Sequence, residues 1–312
     1  MTVMTQPPTG SNPPRDSIPP PQIVYIDPDG IVWPLTDLTL PNGYICTSIA
    51  GISGVPVNFS SIPMVTGGAT PQMIISQPGQ IAMGMYLESL GDVNAYMELL
   101  DSFAYSFRTE RAGSPAPGYL AIQRQDGSTR QIAVYVTGGV ESAVDEGVAF
   151  STYLLTLNTP DPYWYDQYPT NLQYSLTVAG VTGILPLLPI NLTPSTVFGS
   201  QTLLNDGGAD TYPIWTFTGP GIPTVQNLTT GFQFSFFSTL TSGQQVQVST
   251  VPGNQYAIDV SNGANMWGQI VKNSPRDLWP LVRGTNQISL QMSGATSSSA
   301  IQLQYTRRWL RP

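Results

Sequence analysis

The sequence contains no histidine and only one cysteine. Without histidine, Ser-His-Asp and Cys-His catalysis are excluded, together with most zinc sites. Cys46 has no partner for an internal disulfide, so nothing in the chain requires an oxidising compartment. It lies in an apolar, strand-like context with no basic neighbour, which suits a packed thiol better than a nucleophile. Charge is also scarce: 10 % of residues are Asp, Glu, Lys or Arg, against about 25 % in an average globular domain. Lys272 is the sole lysine, and the net charge is −8. A surface this poor in ions suits a subunit that buries much of itself in an assembly, because interface centres are depleted of charge. The acidic balance argues against a nucleic-acid footprint. No basic residue occurs from Gln131 to Val271, whereas six occur from Lys272 to Pro312 against Asp277 alone.

Long hydrophobic runs are missing as well. The longest, 184–190, is interrupted by Pro186 and Pro189 and is too short to span a bilayer. The first residues show no basic start followed by an apolar segment, so no signal peptide is expected. No phosphate-binding glycine loop follows a strand-like segment, and no cofactor or metal site is expected. The Asp27-Pro28-Asp29-Gly30 run lacks the further ligands and closing glutamate of a calcium loop, and reads as a tight turn. Three acidic pairs remain as candidates for two-carboxylate hydrolysis: Asp145/Glu146, Asp161/Asp166 and Asp206/Asp210. All sit in Gly- or Pro-rich turns, where acids occur for backbone reasons.

What is present reads as two domains. Residues 1–22 hold seven prolines and no periodicity, and are expected to form an extended or disordered arm. Residues 23–160 alternate in the manner of strands, with one helix predicted inside 91–113. There Asp92 is the candidate N-cap, and Val93, Met97, Leu100, Ala104 and Phe107 form a core stripe widened by Tyr96 and Phe103. Arg108 and Arg111 are expected in its last turn. Asp126-Gly127 between alternating runs predicts a hairpin. A Pro- and aromatic-rich joint is expected at 161–170. From 171 to 312 short strands recur between turn signals, at 172–178, 185–190, 212–217, 232–237, 244–250, 256–260, 266–271, 287–292 and 301–305. This spacing predicts a β-sandwich or jelly roll. The whole is therefore expected to be mainly β.

Two surfaces carry candidate functional residues. The segment 52–78 is apolar yet rich in Gly and Pro, and Gly67-Gly68 supplies a hairpin turn. Val57, Phe59, Met64, Val65, Met73, Ile74 and Ile75 then belong either to a core hairpin or to a strand-adding contact with a neighbouring subunit. On the predicted sandwich, Trp215 and Trp267, with Trp279 and Tyr256, offer either core aromatics or a platform for sugar rings.

The order of the motifs resembles the distal tail proteins of long-tailed bacteriophages (siphoviruses). In the first half the resemblance is carried by Asp29-Gly30, Trp33-Pro34-Leu35, the single helix, Asp126-Gly127 with Arg130, and Thr159-Pro160-Asp161-Pro162-Tyr163-Trp164. In the second it is carried by Asn205-Asp206-Gly207, Gly219-Pro220, Thr229-Thr230-Gly231, Leu281-Val282-Arg283-Gly284-Thr285-Asn286 and Tyr305-Thr306-Arg307-Arg308-Trp309-Leu310. The resemblance implies a non-enzymatic virion subunit. Its fold would be a β-barrel-like N-terminal domain with one α-helix plus a galectin-like C-terminal β-sandwich. Its partners would be five further copies in a homo-hexameric ring, the tail tube protein, the tape measure protein and other tail-tip or fibre proteins. DNA would only pass through the lumen, and no membrane insertion is implied. Such a protein is made in the host bacterial cytoplasm and ends in the phage tail. The alternative reading is a host cell-wall glycan adhesin acting through the β-sandwich.

Overall fold

The computed structural model describes residues 22–36, 43–89, 92–141, 150–175, 197–272 and 274–312. The predicted strand 185–190 and the Asp145/Glu146 pair lie outside the described residues, as does the predicted arm apart from Gln22. The chain divides into two compact units, one running to Gln167 and including Leu310–Pro312, the other Tyr168–Trp309.

The first unit is built on a run of antiparallel strands. Their order is Val32–Pro34, Gln22–Ile26, Gly118–Gln123, Thr129–Gly138, Phe150–Thr159, Gly79–Glu88 and Tyr44–Ala50. Thr129–Gly138 turns the run: its Thr129–Val134 part pairs with Gly118–Gln123, and its end, from Tyr135, pairs with Phe150–Thr159 across a bulge between Val136 and Gly138. A bulge adds local twist and bends the sheet. The curvature is barrel-like but does not close. Among the described residues the end strands approach through the bond from Cys46 N–H to the Leu35 carbonyl at 2.9 Å, without a ladder. Trp164–Asp166 also pairs with Thr129–Gly138, so this part of the expected joint is a strand of the first unit. Trp164 is buried and donates its indole N–H to the Ile52 carbonyl at 3.1 Å, which fixes it there.

The helix is Val93–Ser106, shorter than the sequence suggested. Asp92 caps it as expected, its carboxylate accepting from the N–H groups of Asn94 and Ala95. The buried face is Tyr96, Phe103 and Ser106, followed by the capping residue Phe107. Val93, Met97 and Ala104 are exposed, so the predicted stripe is corrected by a rotation about the axis. The aromatics decide that rotation. Phe107 stacks on Tyr25 at 4.3 Å, and Phe103 meets Tyr153 at 5.0 Å. Each such ring contributes more burial than Val93 or Met97 would. Arg108 and Arg111 do not occupy the last helical turn. Arg111 reaches Asp29 at 2.8 Å and Arg108 pairs with Glu110. The chain meanwhile turns through Ala112 and Gly113, both at positive φ, into the short pair Glu110–Arg111 and Ser114–Pro115.

The second unit is a sandwich of two five-stranded sheets. One runs Thr170–Ser175, Ala300–Tyr305, Ile214–Thr218, Gln245–Ser249, Tyr256–Asp259; the other Val197–Asn205, Gly284–Ser293, Ile222–Asn227, Gln233–Phe236, Ile270–Val271. Inward residues alternate along Ile214–Thr218 and Gly284–Ser293, and Trp215, Phe217, Phe234, Phe236 and Trp279 form an aromatic centre between the sheets. The recurrent Asn motifs lie inside this unit. Buried Asn286 accepts from Val282 N–H and donates to the carbonyls of Val282 and Gly284. Its carboxamide oxygen also accepts from Asn227, whose own oxygen accepts from Thr229 and Thr230. These side chains satisfy turn backbone that is shut off from water.

Candidate assembly surface

Val57–Pro63 and Ala69–Ser76 pair with each other to form a two-stranded sheet of their own. The turn between them is closed by Met64 N–H to the Gly68 carbonyl at 3.0 Å and Gly67 N–H to the Met64 carbonyl at 3.1 Å. Gly67 and Gly68 both adopt positive φ, +92° and +84°, which explains the Gly-Gly pair without any crowding around it. The base is held firmly. Gln77 N–H donates to the Pro56 carbonyl at 2.8 Å, and the Ser76 and Tyr163 hydroxyls share a 2.7 Å hydrogen bond.

Every predicted contact residue lies on this hairpin, exposed by between 44 % (Ile75) and 107 % (Val65). Ile62 belongs with them; it follows Phe59 on the same strand and was legible from the same apolar pattern. The register distributes them over both sides. Phe59 faces Ile74 across the ladder and shares its side with Val57, whereas Ile62, Met73 and Ile75 lie on the opposite side. A core hairpin would have one face covered, so the core alternative is corrected: among the described residues nothing covers either face. No charged residue occurs from 38 to 87, so the hairpin also lacks the lysines that normally blunt an exposed strand. Eight large apolar side chains are held in water at once. With about half of each still to be buried, covering them contributes roughly 1 kcal/mol apiece, on the order of 8 kcal/mol in all. That is comparable to the association cost of about 4–15 kcal/mol.

The other candidates divide differently. Trp215 is fully buried, meeting Trp279 at 5.5 Å and Phe234 at 6.4 Å edge-on, so its ring is not available to a sugar. Trp279 is likewise buried. Trp267 is half-buried, and the Lys272 ammonium lies 4.0 Å from its ring centroid. The structure therefore does not bring Trp215 and Trp267 together as a platform. Asp206 pairs with Arg307 at 2.9 Å, while Asp210 accepts from Arg283 N–H at 3.1 Å. Asp161 accepts from the Tyr165 hydroxyl. These acids hold turns in place. Burial pushes the Cys46 thiol above its ordinary range, outweighing the opposite pull of the Ser48 backbone, and so disfavours the thiolate; Sγ lies 3.3 Å from the Ser48 carbonyl, to which it donates. Asp27 accepts from the N–H groups of Asp29 and Ile31, the turn chemistry expected of it. A cleft of about 580 Å³ beside the helix end is lined by Phe107, Arg108, Glu110, Tyr135 and Glu141. Its acids are engaged, Glu110 by Arg108 and Glu141 by Gly139 N–H. Among the described residues no three His, Cys, Asp or Glu side chains gather as a metal site.

No protein-family model matches the chain, and no curated protein matches it by sequence. Solved structures do match it in fold. The Dit protein (gp 19.1) of phage SPP1, described as a paradigm of the hub adsorption apparatus in phages infecting Gram-positive hosts, aligns with a TM-score of 0.63 at 13 % identity. The alignment covers 94 % of this chain and 100 % of that one. A chain of the phage P2 baseplate in its activated conformation with Ca aligns with a TM-score of 0.53 at 11 % identity, covering 94 % and 99 %. Its counterpart with Sr gives 0.53 at 10 % identity, covering 94 % and 100 %. The chain thus has, over nearly its whole length, the β-rich two-domain fold of phage hub and baseplate proteins, the fold that its motif order implies.

Proposed function

We propose that this chain is a structural protein of a phage tail tip. Six copies form a ring that connects the tail tube to the tip, or baseplate, and its receptor-binding proteins. The hairpin residues Val57, Phe59, Ile62, Met64, Val65, Met73, Ile74 and Ile75 make the contacts between copies. The observation that carries this reading is the uncharged hairpin, apolar on both faces and covered by none of the described residues. The full-length likeness in fold to hub and baseplate proteins supports it. In this role the protein does no catalysis: it positions the tail tube, tape measure and fibre proteins, and its net negative charge keeps passing DNA from adhering. It belongs to the virion after synthesis in the host cytoplasm. Among the described residues no helix is long and apolar enough to cross a membrane.

The test is the mass of the purified chain in solution, by native mass spectrometry, together with electron microscopy of particles carrying a tagged copy. A six-copy species and a label at the tail tip are expected. A monomer at every concentration, with no label at the tip, overturns the reading.

A further inference from the structure

In the second unit, the sheet that begins with Val197–Asn205 has an outer face of polar side chains without charge. Its buried positions alternate with exposed or half-buried ones along Ile222–Asn227, Gln233–Phe236 and Gly284–Ser293, so the latter face away from the core. Pairing lines these outward residues up in rows, because directly opposed residues share a face. Ser289, Gln226 and Gln233 form one row, and Gln291, Thr224 and Ser235 the next. The five strands contain no Asp, Glu, Lys or Arg. Among the described residues the side chains of Thr224, Gln226, Gln233 and Ser235 make no hydrogen bond with the rest of the chain, so their donors and acceptors stay open to a ligand.

Two residues beyond Ser235 stands Phe237, its N–H held by the Gln269 carbonyl at 2.7 Å. Its ring is 77 % exposed. An open ring beside rows of amides and hydroxyls matches a sugar. The C–H face of a sugar packs on an aromatic ring, and its hydroxyls, each both donor and acceptor, meet groups of the same dual kind. Neighbouring strands lie about 4.8 Å apart, close to the length of one sugar unit in an extended chain, so a row offers one polar side chain per unit. An anionic polymer finds no cation among these strands and is repelled by the net charge of −8. The opposite sheet also presents glutamines, Gln302 among them, but its Tyr256 is half-buried and spends its hydroxyl on Gln247 at 2.8 Å. Trp215 is closed in the core and the Lys272 ammonium sits over Trp267, so Phe237, not these, offers the open ring.

We propose that this face binds an uncharged polysaccharide. Phe237 stacks on one sugar, and the rows through Thr224 and Gln226 take the hydroxyls of the sugars that follow. The site does not depend on the ring described above, since it uses only residues of the second unit.

The test is native gel electrophoresis of the full-length chain through gels containing dextran, laminarin, galactomannan or pullulan, with polygalacturonate as the anionic comparison. Retardation by at least one neutral polymer is expected, and none by polygalacturonate. Phe237→Ala is expected to weaken that retardation about tenfold, as loss of one aromatic stack implies. Gln226→Glu, which puts a charge in the middle of a row, is expected to weaken it at least as much. Gln302→Ala, on the opposite sheet, is expected to leave it within about twofold. Thermal unfolding shows which variants are folded, and if one of the first two is not, the other decides. Retardation by none of the neutral polymers, or by polygalacturonate alone, overturns the proposal. So does an equal loss in Gln302→Ala. A Phe237→Ala chain that is retarded like the wild type but sediments as a smaller species makes the face a contact between copies and overturns it too.

Discussion

Replacing Phe59 by aspartate separates assembly from folding. Phe59 is 55 % exposed and faces Ile74, 65 % exposed, at the middle of the hairpin. Both side chains are more than half exposed, so the monomer's stability is expected to change within about 0.5 kcal/mol, the range of surface substitutions. Assembly pays differently. The variant forfeits the remaining burial of the ring, roughly 1–2 kcal/mol per contact. It also brings a carboxylate into a dry apolar contact, a penalty of several kcal/mol. Together these amount to about 4 kcal/mol or more, a weakening of at least roughly a thousandfold per contact. Thermal unfolding should therefore be unchanged while sedimentation shows monomer at concentrations where the wild type is assembled. Phe59→Leu should retain assembly. Rings formed equally well by Phe59→Asp would refute the assignment of the hairpin as the contact surface, and a large drop in melting temperature would refute its independence from the core.

Gly118→Ala tests the packing of the first unit. A Cβ there stands 2.4 Å from the Tyr25 ring, which is pinned by its stack on Phe107 and its bond to the Ser106 carbonyl. A loss of about 1–3 kcal/mol is expected in denaturant titration. Asn286→Ala removes the side chain that serves Val282, Gly284 and Asn227, and leaves buried groups unpaired. A loss of about 2–4 kcal/mol is expected, with no effect on the first unit's helix signal in circular dichroism. Trp215→Ala empties the sandwich centre, and a loss of about 3–5 kcal/mol should accompany it, whereas a sugar-platform residue would be replaced at little cost. Asp259 is held below the ordinary carboxylate range by bonds from Ser261 and Gln244. Its folded-state pKa is depressed, so the stability it adds is complete above its unfolded value and is lost as pH falls through the folded one. Asp259→Asn should flatten the decline in stability below about pH 4, where unfolded carboxylates titrate. A wild-type slope retained in the variant would contradict it.

Local chemistry made several elements legible in the sequence. Asp92 announces the helix start because a short acid before an apolar run caps free N–H groups. Asp126-Gly127 announces its hairpin because the turn needs its geometry regardless of what surrounds it, and the two bonds between Arg124 and Ser128 or Gly127 close it as expected. The alternation in Phe150–Thr159 and Gly284–Ser293 reflects a period that one face of a sheet imposes. Gly67-Gly68 with apolar flanks likewise gave the hairpin and seven of its exposed apolar residues. The aromatic part of the helix's buried face, Tyr96, Phe103 and Phe107, was legible; that Val93 and Met97 stay outside was not, because they are as apolar as a core position requires and only the positions of Tyr25 and Tyr153 on distant strands choose among them. Arg111 was placed on the helix for its charge at a C-terminus, while its partner Asp29 lies 82 residues away.

Composition by itself determined that this protein is poor in reactive side chains and poor in ions, since those properties are sums over residues. The local order of residues, through alternation and turn signals, determined that it is mainly β and that an apolar hairpin exists. Whether that hairpin is interior or exterior was decided only by the tertiary structure. The same apolar strands serve a core or a contact, and the difference lies in whether another element of the chain comes to cover them. The same holds for Trp215, which is a core ring because Phe234 and Trp279, from other parts of the chain, close around it.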